Sequence, residues 1–332
     1  MRFGPVPPAE ARGAILAHSM ALPGRHLPKG SRLGPAEIAA LREAGIAEVT
    51  VARLDPGDVV EDAAAARLAN ALVPDPEAAA LRIGRAARGR VNLHAVCAGV
   101  VGLDLPAVQA VNRVDPGITL ATLAPLGRVL PGMLVGTVKI LPYAVPGAAL
   151  EAACATGRGA LRVHPVRRRS AGLILSEVPG QKPALTGKGR SAVEARLSAL
   201  GITLEAVRVV PHEARAMAAA LAALPGEIGL ILTGSATSDL RDVGPEAVRL
   251  AGGTIARFGM PVDPGNLLFL GEQDGRPVIG LPGCARAPAL NGADWVLERT
   301  ACGIEVDAEA LAAMAVGGLL KEIPSRPQPR EA

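Results

Sequence analysis

The spacing of apolar positions changes partway along this chain, and the change divides it. In the first half the segments are short and of mixed period. Residues 1–20, with Pro7 and Pro8 near the start and Ile15 and Leu16 on one face, read as an opening helix. Gly34-Pro35 starts a second helix in which Ile38, Leu41 and Ala44 keep helical spacing, and Gly45 closes it. Glu48–Leu54 alternates as a strand does, Asp55-Pro-Gly-Asp58 turns the chain, and Glu61–Val73 is an Ala-rich helix ended by Pro74-Asp-Pro76. From Arg90 to Val145 the pattern predicts short strands with one helix near Leu105–Asn112, and Pro146–Ala155 predicts a further helix. This is an α+β arrangement.

Beyond Gly157–Arg169, a glycine- and arginine-rich stretch, strands and helices alternate regularly. Gly172–Ser176 has the composition of a buried strand, and Ser191–Leu200 places Val193, Leu197 and Leu200 on one helical face. Ala206–Val210 follows as a strand, Glu213–Leu224 as a helix, Ile228–Leu232 as a fully apolar strand, and a helix begins near Pro245 and stops at Gly252. Pro277–Leu281 is another strand, followed by a helix ending near Arg299. Such alternation implies an α/β domain of three layers, αβα, around a parallel or mixed sheet. The predicted organisation is an N-terminal α+β module over 1–156, an α/β domain over 170–303, and an extension over 304–332 whose Pro-rich end, Lys321–Ala332, reads as a loose tail. Arg167-Arg168-Arg169 reads as a solvated linker, with a ligand clamp as the alternative.

Length, 332 residues, allows two or three domains with real cores. A net charge of +4, with one Trp, one Tyr and three Phe, gives neither a basic stripe nor stacking platforms, so nucleic acid is not an expected partner. No apolar run is long enough to span a bilayer, and the first twenty residues do not read as a signal peptide, so no membrane partner is expected. Cys97, Cys154, Cys284 and Cys302 lie far apart without a Cys-x-x-Cys pair, which argues against a zinc site or disulfide framework and fits a reducing cytoplasm. His18, His26, His94, His164 and His212 show no ligand spacing and read as structural or exposed.

The chemistry concentrates after the apolar strand Ile228–Leu232, where Thr233, Ser235, Thr237 and Ser238 make a hydroxyl-rich loop that also carries Asp239 and Asp242. Ligands of open α/β sheets sit beyond the carboxyl ends of the strands, and N–H groups at a strand-to-helix loop can hold an anion. Carboxylates beside such a loop suit a phosphate accompanied by Mg²⁺. The alternative is an ordinary polar turn in which Asp242 caps the helix. Ser176, ending the first strand of the alternating half, either lines the same crevice or simply ends its strand. Cys284, beside Arg286, is a thiol that a guanidinium activates or a small residue that fills a turn.

Thr233-Gly-Ser-Ala-Thr followed by Arg241-Asp-Val-Gly-Pro-Glu-Ala247 resembles the molybdopterin-binding fold of molybdopterin adenylyltransferases and molybdenumtransferases. Leu281-Pro-Gly-Cys-Ala-Arg286 resembles their Leu-Pro-Gly-Asn-Pro turn, and Pro261-Val-Asp-Pro-Gly-Asn266 the Pro-Gly element upstream of it. Phe3–Pro7, Gly13–Ser19, Ala52–Asp58, Gly89–Leu93 and Thr137–Ile140 resemble the N-terminal module of one subfamily, often fused to a molybdenum-cofactor nucleotidyltransferase domain that has no counterpart here. Departures are specific. The family's paired glycines are Gly234 and Ser235, its Asn-Pro is Cys284-Ala285, and its second acidic position falls near Gly187 and Lys188.

The resemblance implies a cytoplasmic protein of molybdenum cofactor biosynthesis whose ligand is molybdopterin, its adenylylated form or the finished cofactor, with Mg²⁺ and molybdate as further reactants. It implies phosphate binding by Thr233, Gly234, Ser235 and Thr237, with Ser176, Ser238 and Asp239 beside them. Asp242 carries catalysis or metal contact, and Pro282, Gly283 and Cys284 form pocket walls. Lys188 stands where a carboxylate is absent and supplies a positive charge toward phosphate. A molybdenumtransferase-like step, a non-catalytic carrier or sensor, and a nucleotide pyrophosphatase of the same fold are the readings it leaves open. Relatives self-associate, so a dimer or trimer is expected, together with contacts to other cofactor-biosynthesis or molybdoenzyme-maturation proteins.

Overall fold

A computed structural model describes residues 1–180 and 182–320; the predicted loose tail, Lys321–Ala332, lies outside them. The chain divides into two units, Met1–Cys97 with Val101–His164, and Ala98–Val100 with Pro165–Ala332.

In the first unit the opening segment is not the helix its apolar spacing suggested. Arg2–Val6 is a strand paired antiparallel with Val49–Arg53, which pairs on its other side with Ile15–Leu16. Pro5, Pro7 and Pro8 remove the N–H groups a helix would need, leaving only a short 3₁₀ turn at Pro8–Glu10. The helix Pro35–Glu43 forms as expected, and Gly45 follows it at φ +67°. Leu16, Leu33, Leu41, Val49 and Val51 close a small core.

The remainder of this unit is α+β. Helix Glu61–Leu72 lays Ala64, Ala65, Leu68, Ala69 and Leu72 against a four-stranded antiparallel sheet. Its strands, in spatial order, are Ile118–Thr122, Leu134–Ile140, Arg90–Ala95 and Leu81–Ile83. The alanines let the helix sit close to the sheet. Helices Leu105–Val114 and Gly147–Thr156 complete the layer. The glycine- and arginine-rich stretch Gly157–Arg169 holds the strand Leu161–Pro165, with Leu161 and Val163 buried. In the arginine run that follows, Arg167 and Arg169 are exposed, as a solvated linker requires, while Arg167 N and Arg168 N both donate to Ala301 O and the Arg168 guanidinium donates to Thr300 O.

The second unit is the alternating half. Its elements are β1 (Ser170–Glu177), α1 (Pro183–Ala199), β2 (Thr203–Pro211), α2 (Ala214–Ala222), β3 (Ile228–Leu232), α3 (Val243–Leu250), β4 (Thr254–Phe258), β5 (Phe269–Gln273), β6 (Arg276–Leu281) and α4 (Gly292–Ala301). They form one six-stranded mixed sheet in the order β2-β1-β3-β6-β5-β4. The first four strands are parallel, β5 adds antiparallel to β6, and β4 adds antiparallel to β5.

Ile174, Ile231 and Val278 meet Met217 and Leu221 of α2 and Ala247 and Val248 of α3 on one face. On the other, Gly189 of α1 lies so close to Leu232 that an added Cβ would stand 2.8 Å from its side chain, and Arg196 joins α1 to Asp294 of α4. The three-layer αβα reading holds.

Helix α1 starts eight residues before the predicted Ser191, at Pro183, a residue suited to the first helical turn. Strands β4 and β5 were not anticipated. Both are antiparallel additions at one edge, and β5 contains Gly271, which weakens the strand pattern.

Candidate functional site

The parallel register brings three strand ends level. Leu175 pairs with Leu232, and Leu232 with Leu281, so Ser176, Thr233 and Pro282 step off the sheet side by side. Ser176 and Thr233 are 2% and 3% exposed. Ser176 Oγ accepts the Gly234 N–H at 2.9 Å and lies 2.9 Å from His212 Nδ1, at the end of β2. Thus one hydroxyl ties the ends of β1, β2 and β3 together, and the Gly234 N–H is directed at protein, not into the crevice.

The loop to α3 is organised by its carboxylates. Asp242 is the N-cap: Oδ1 accepts from Val243 N at 2.7 Å, and Oδ2 accepts from Ser238 N at 2.9 Å and Ser238 Oγ at 3.4 Å. Asp239 Oδ1 accepts from Arg241 N at 2.8 Å and Arg241 Nε at 2.9 Å. Those Arg241 hydrogen bonds hold the Asp239 carboxyl below its ordinary value. Thr237 is buried at 5% exposure, and Ser235 and Ser238 are exposed. Both loop carboxylates therefore serve the loop's own shape. Among the described residues no three His, Cys, Asp or Glu side chains gather as a metal site requires.

Beyond β6 the chain makes a single 3₁₀ turn, Gly283–Arg286. Facing it across a cleft of about 1030 Å³ is the first half of α1. Lys188 and Ser191 line one side, Gly283, Cys284 and Arg286 the other, and Leu185, Ala192, Ala195 and Pro288 make the walls apolar. Arg286 Nη2 donates to Thr233 O at 2.5 Å, linking the cleft to the end of β3. Burial lowers the proton affinity of Arg286, although a guanidinium keeps its charge at physiological pH. Cys284 is exposed, and its Sγ accepts from Asn291 Nδ2 at 3.1 Å.

Of the residues singled out by sequence, Lys188, Gly283 and Cys284 share this cleft. Ser176, Thr233 and Gly234 form the strand-end knot. Ser238, Asp239 and Asp242 shape the cap of α3.

Three residues that organise the site escaped sequence reasoning. His212 carries no ligand spacing in the sequence, yet its Nδ1 meets Ser176 Oγ. Arg286 stands out in the sequence only as a neighbour of Cys284, yet it reaches Thr233 O. Arg196 is buried, pairs with Asp294 Oδ1 at 2.6 Å, and donates to Ala285 O at 2.7 Å, Ala287 O at 2.9 Å and Ala289 O at 3.2 Å. It holds the cleft's turn in shape. Nothing in a single sequence signals a contact 98 residues apart.

Fold and geometry together define an open α/β domain with a cleft beyond the carboxyl ends of its parallel strands. A family described as a domain of unknown function (DUF8806) matches residues 5–53, a part of the first unit. No curated protein matches the chain. Two solved structures align along most of it. One, a molybdopterin biosynthesis MoeA protein from Pyrococcus horikosii, is 15% identical, with 92% of this chain and 76% of that chain covered and a TM-score of 0.31. The other, a molybdenum cofactor biosynthesis protein from Pyrococcus furiosus, is 12% identical, with 94% and 65% covered and a TM-score of 0.24.

Proposed function

We propose that the second unit binds a phosphorylated pterin of the molybdopterin class in the cleft between α1 and the Leu281-Pro-Gly-Cys turn. The carrying observation is the meeting of two cations, Lys188 and Arg286, on a cleft whose walls are otherwise apolar. The sequence resemblance of residues 233–247 and 281–286 supplies the ligand class. Lys188 and Arg286 hold the phosphate, Leu185, Ala192 and Pro288 pack a flat ring, and Ser191 and Cys284 offer weak polar contacts. The strand-end knot at Ser176 and Gly234, and the cap at Asp242, keep the cleft's floor and neighbouring loop in place.

Magnitudes favour a ring-bearing ligand over bare phosphate. Hydrogen bonds to a charged group contribute about 1.5–3 kcal/mol each, whereas micromolar affinity requires roughly 8 kcal/mol. The apolar walls must supply the difference.

The reading favoured here is a binding or carrier protein of molybdenum cofactor biosynthesis. Asp242, the residue that the transferase reading assigns to metal or catalysis, has both carboxylate oxygens engaged within its own loop. The second acidic position of the resemblance falls near Gly187 and Lys188, neither of them a carboxylate. Calorimetric titration with molybdopterin and adenylylated molybdopterin, with and without Mg²⁺ and molybdate, followed by product analysis, separates the readings. Saturable binding without AMP release supports the carrier. AMP release dependent on Mg²⁺ and molybdate, and lost in Asp242→Asn, establishes a molybdenumtransferase-like step instead. No pterin binding, with hydrolysis of a dinucleotide pyrophosphate, moves the protein to the pyrophosphatases of this fold.

A further inference from the structure

A second cleft, of about 500 Å³, lies wholly within the first unit and takes no part in the function proposed above. Three cations from separate places in the sequence line it: Lys29, following the strand Arg25–Leu27; Arg88, in the turn before Arg90–Ala95; and Lys139, in Leu134–Ile140. Glu61, the first residue of its helix, is the carboxylate in the lining, so the lining carries a net charge of +2 (three cations less one anion).

The site is built, not incidental. Lys139 Nζ donates to Arg88 O, which fixes both the ammonium and the turn. Arg88 and Gly89 have φ of +52° and +70°. An added Cβ at Gly89 would stand 2.6 Å from Ile140 O, 3.0 Å from Glu61 Oε2 and 3.1 Å from Lys139 Nζ. The turn therefore needs glycine in order to approach these groups.

On the opposite side Tyr143 Oη donates to Ala17 O at 2.9 Å, so its ring is held, and Lys29 Nζ stands 5.8 Å from the ring centroid. Ser19 Oγ accepts from Lys29 N at 3.0 Å and anchors that loop. Burial raises the Glu61 carboxyl above its ordinary value, as expected of a carboxylate withdrawn from water. Ser19, Gly89 and Lys139 belong to three of the first-half segments singled out in the sequence. The fold brings Ser19 and Lys139 into the lining and sets Gly89 against Glu61 and Lys139.

We infer that the first unit carries its own ligand site, which takes a small phosphate monoester bearing an aromatic ring, a purine mononucleotide being of the right chemistry and size. Lys29, Arg88 and Lys139 neutralise a dianionic phosphate, which a net charge of +2 matches. Tyr143 offers a flat face and Leu141 apolar surface to the ring, and Glu61 accepts a ring N–H. The volume falls in the range of small-molecule pockets. This site is independent of the pterin reading, because no residue of the second unit lines it.

Titration of the full chain with guanosine 5′-monophosphate, guanosine and inorganic phosphate tests it. Saturable binding of the monophosphate is expected, with guanosine and inorganic phosphate each weaker by about ten-fold or more. Lys29→Gln and Arg88→Gln, both at exposed positions, should each weaken the monophosphate by about ten-fold while thermal melting stays unchanged. Lys188→Gln, in the other cleft, should leave this binding intact. Absence of saturable monophosphate binding overturns the inference. So does binding that Lys188→Gln abolishes and the first-unit variants do not. Inorganic phosphate binding as tightly as the monophosphate removes the ring from the assignment.

Discussion

Single side chains at the strand ends carry more of this account than the loop's hydroxyl count suggested. Ser176 Oγ satisfies the Gly234 N–H and meets His212 Nδ1. Ser176→Ala leaves that partly buried N–H without its acceptor, and urea unfolding should show a loss of about 1 kcal/mol; an unchanged midpoint contradicts the knot. Asp242→Ala should cost about 0.5–2 kcal/mol through its cap, read in the same unfolding curves, and no loss contradicts the capping role.

Asp239 gives a pH signature. Its folded value is depressed by hydrogen bonds from Arg241, so the Asp239–Arg241 clasp is complete above the ordinary carboxylate value and opens as pH falls through the depressed one. Carboxyl NMR titration should find Asp239 below the ordinary aspartate value, and an ordinary midpoint contradicts the clasp. The strand-end placement of Ser176 and Thr233 was legible in sequence, because apolar runs that end in a hydroxyl mark the edge of a buried strand. The partnership of Ser176 with His212 was not, because it depends on which strands lie side by side.

Elements were legible where period and punctuation agree. Ile228–Leu232 and the helix closed by Gly45 formed at the expected places. The opening segment misled because Ile15 and Leu16 fit a helical face, while its prolines and the partner strand Val49–Arg53 decided for β. The β5–β6 hairpin carried a readable signal in Asp274-Gly275, both at positive φ, although polar residues and Gly271 mask its first strand.

Two packing tests belong at this scale. A Cβ at Gly280 would lie 2.0 Å from the Phe269 ring, so Gly280→Ala should destabilise by about 1–3 kcal/mol or more through overpacking. Arg196→Met leaves Asp294 and three carbonyls of the cleft turn without their donor, and should cost about 3–5 kcal/mol. Guanidinium unfolding reads both, and a change within error at either position contradicts the packing described.

For the molecule as a whole, the αβα architecture of the second unit and the α+β character of the first follow from the change in apolar period. The clefts do not, because each gathers residues from distant segments: Lys188 with Arg286 in one, Lys29 with Arg88 and Lys139 in the other. Among the described residues no helix is long and apolar enough to cross a membrane. The proposed grip of Lys188 and Arg286 on a pterin phosphate is decided by calorimetric titration with molybdopterin. Saturable binding is predicted, weakened about ten-fold or more in Lys188→Gln and in Arg286→Gln, with the Lys188 effect shrinking as salt rises. Binding that is absent in the wild type, or unchanged in both variants, contradicts it.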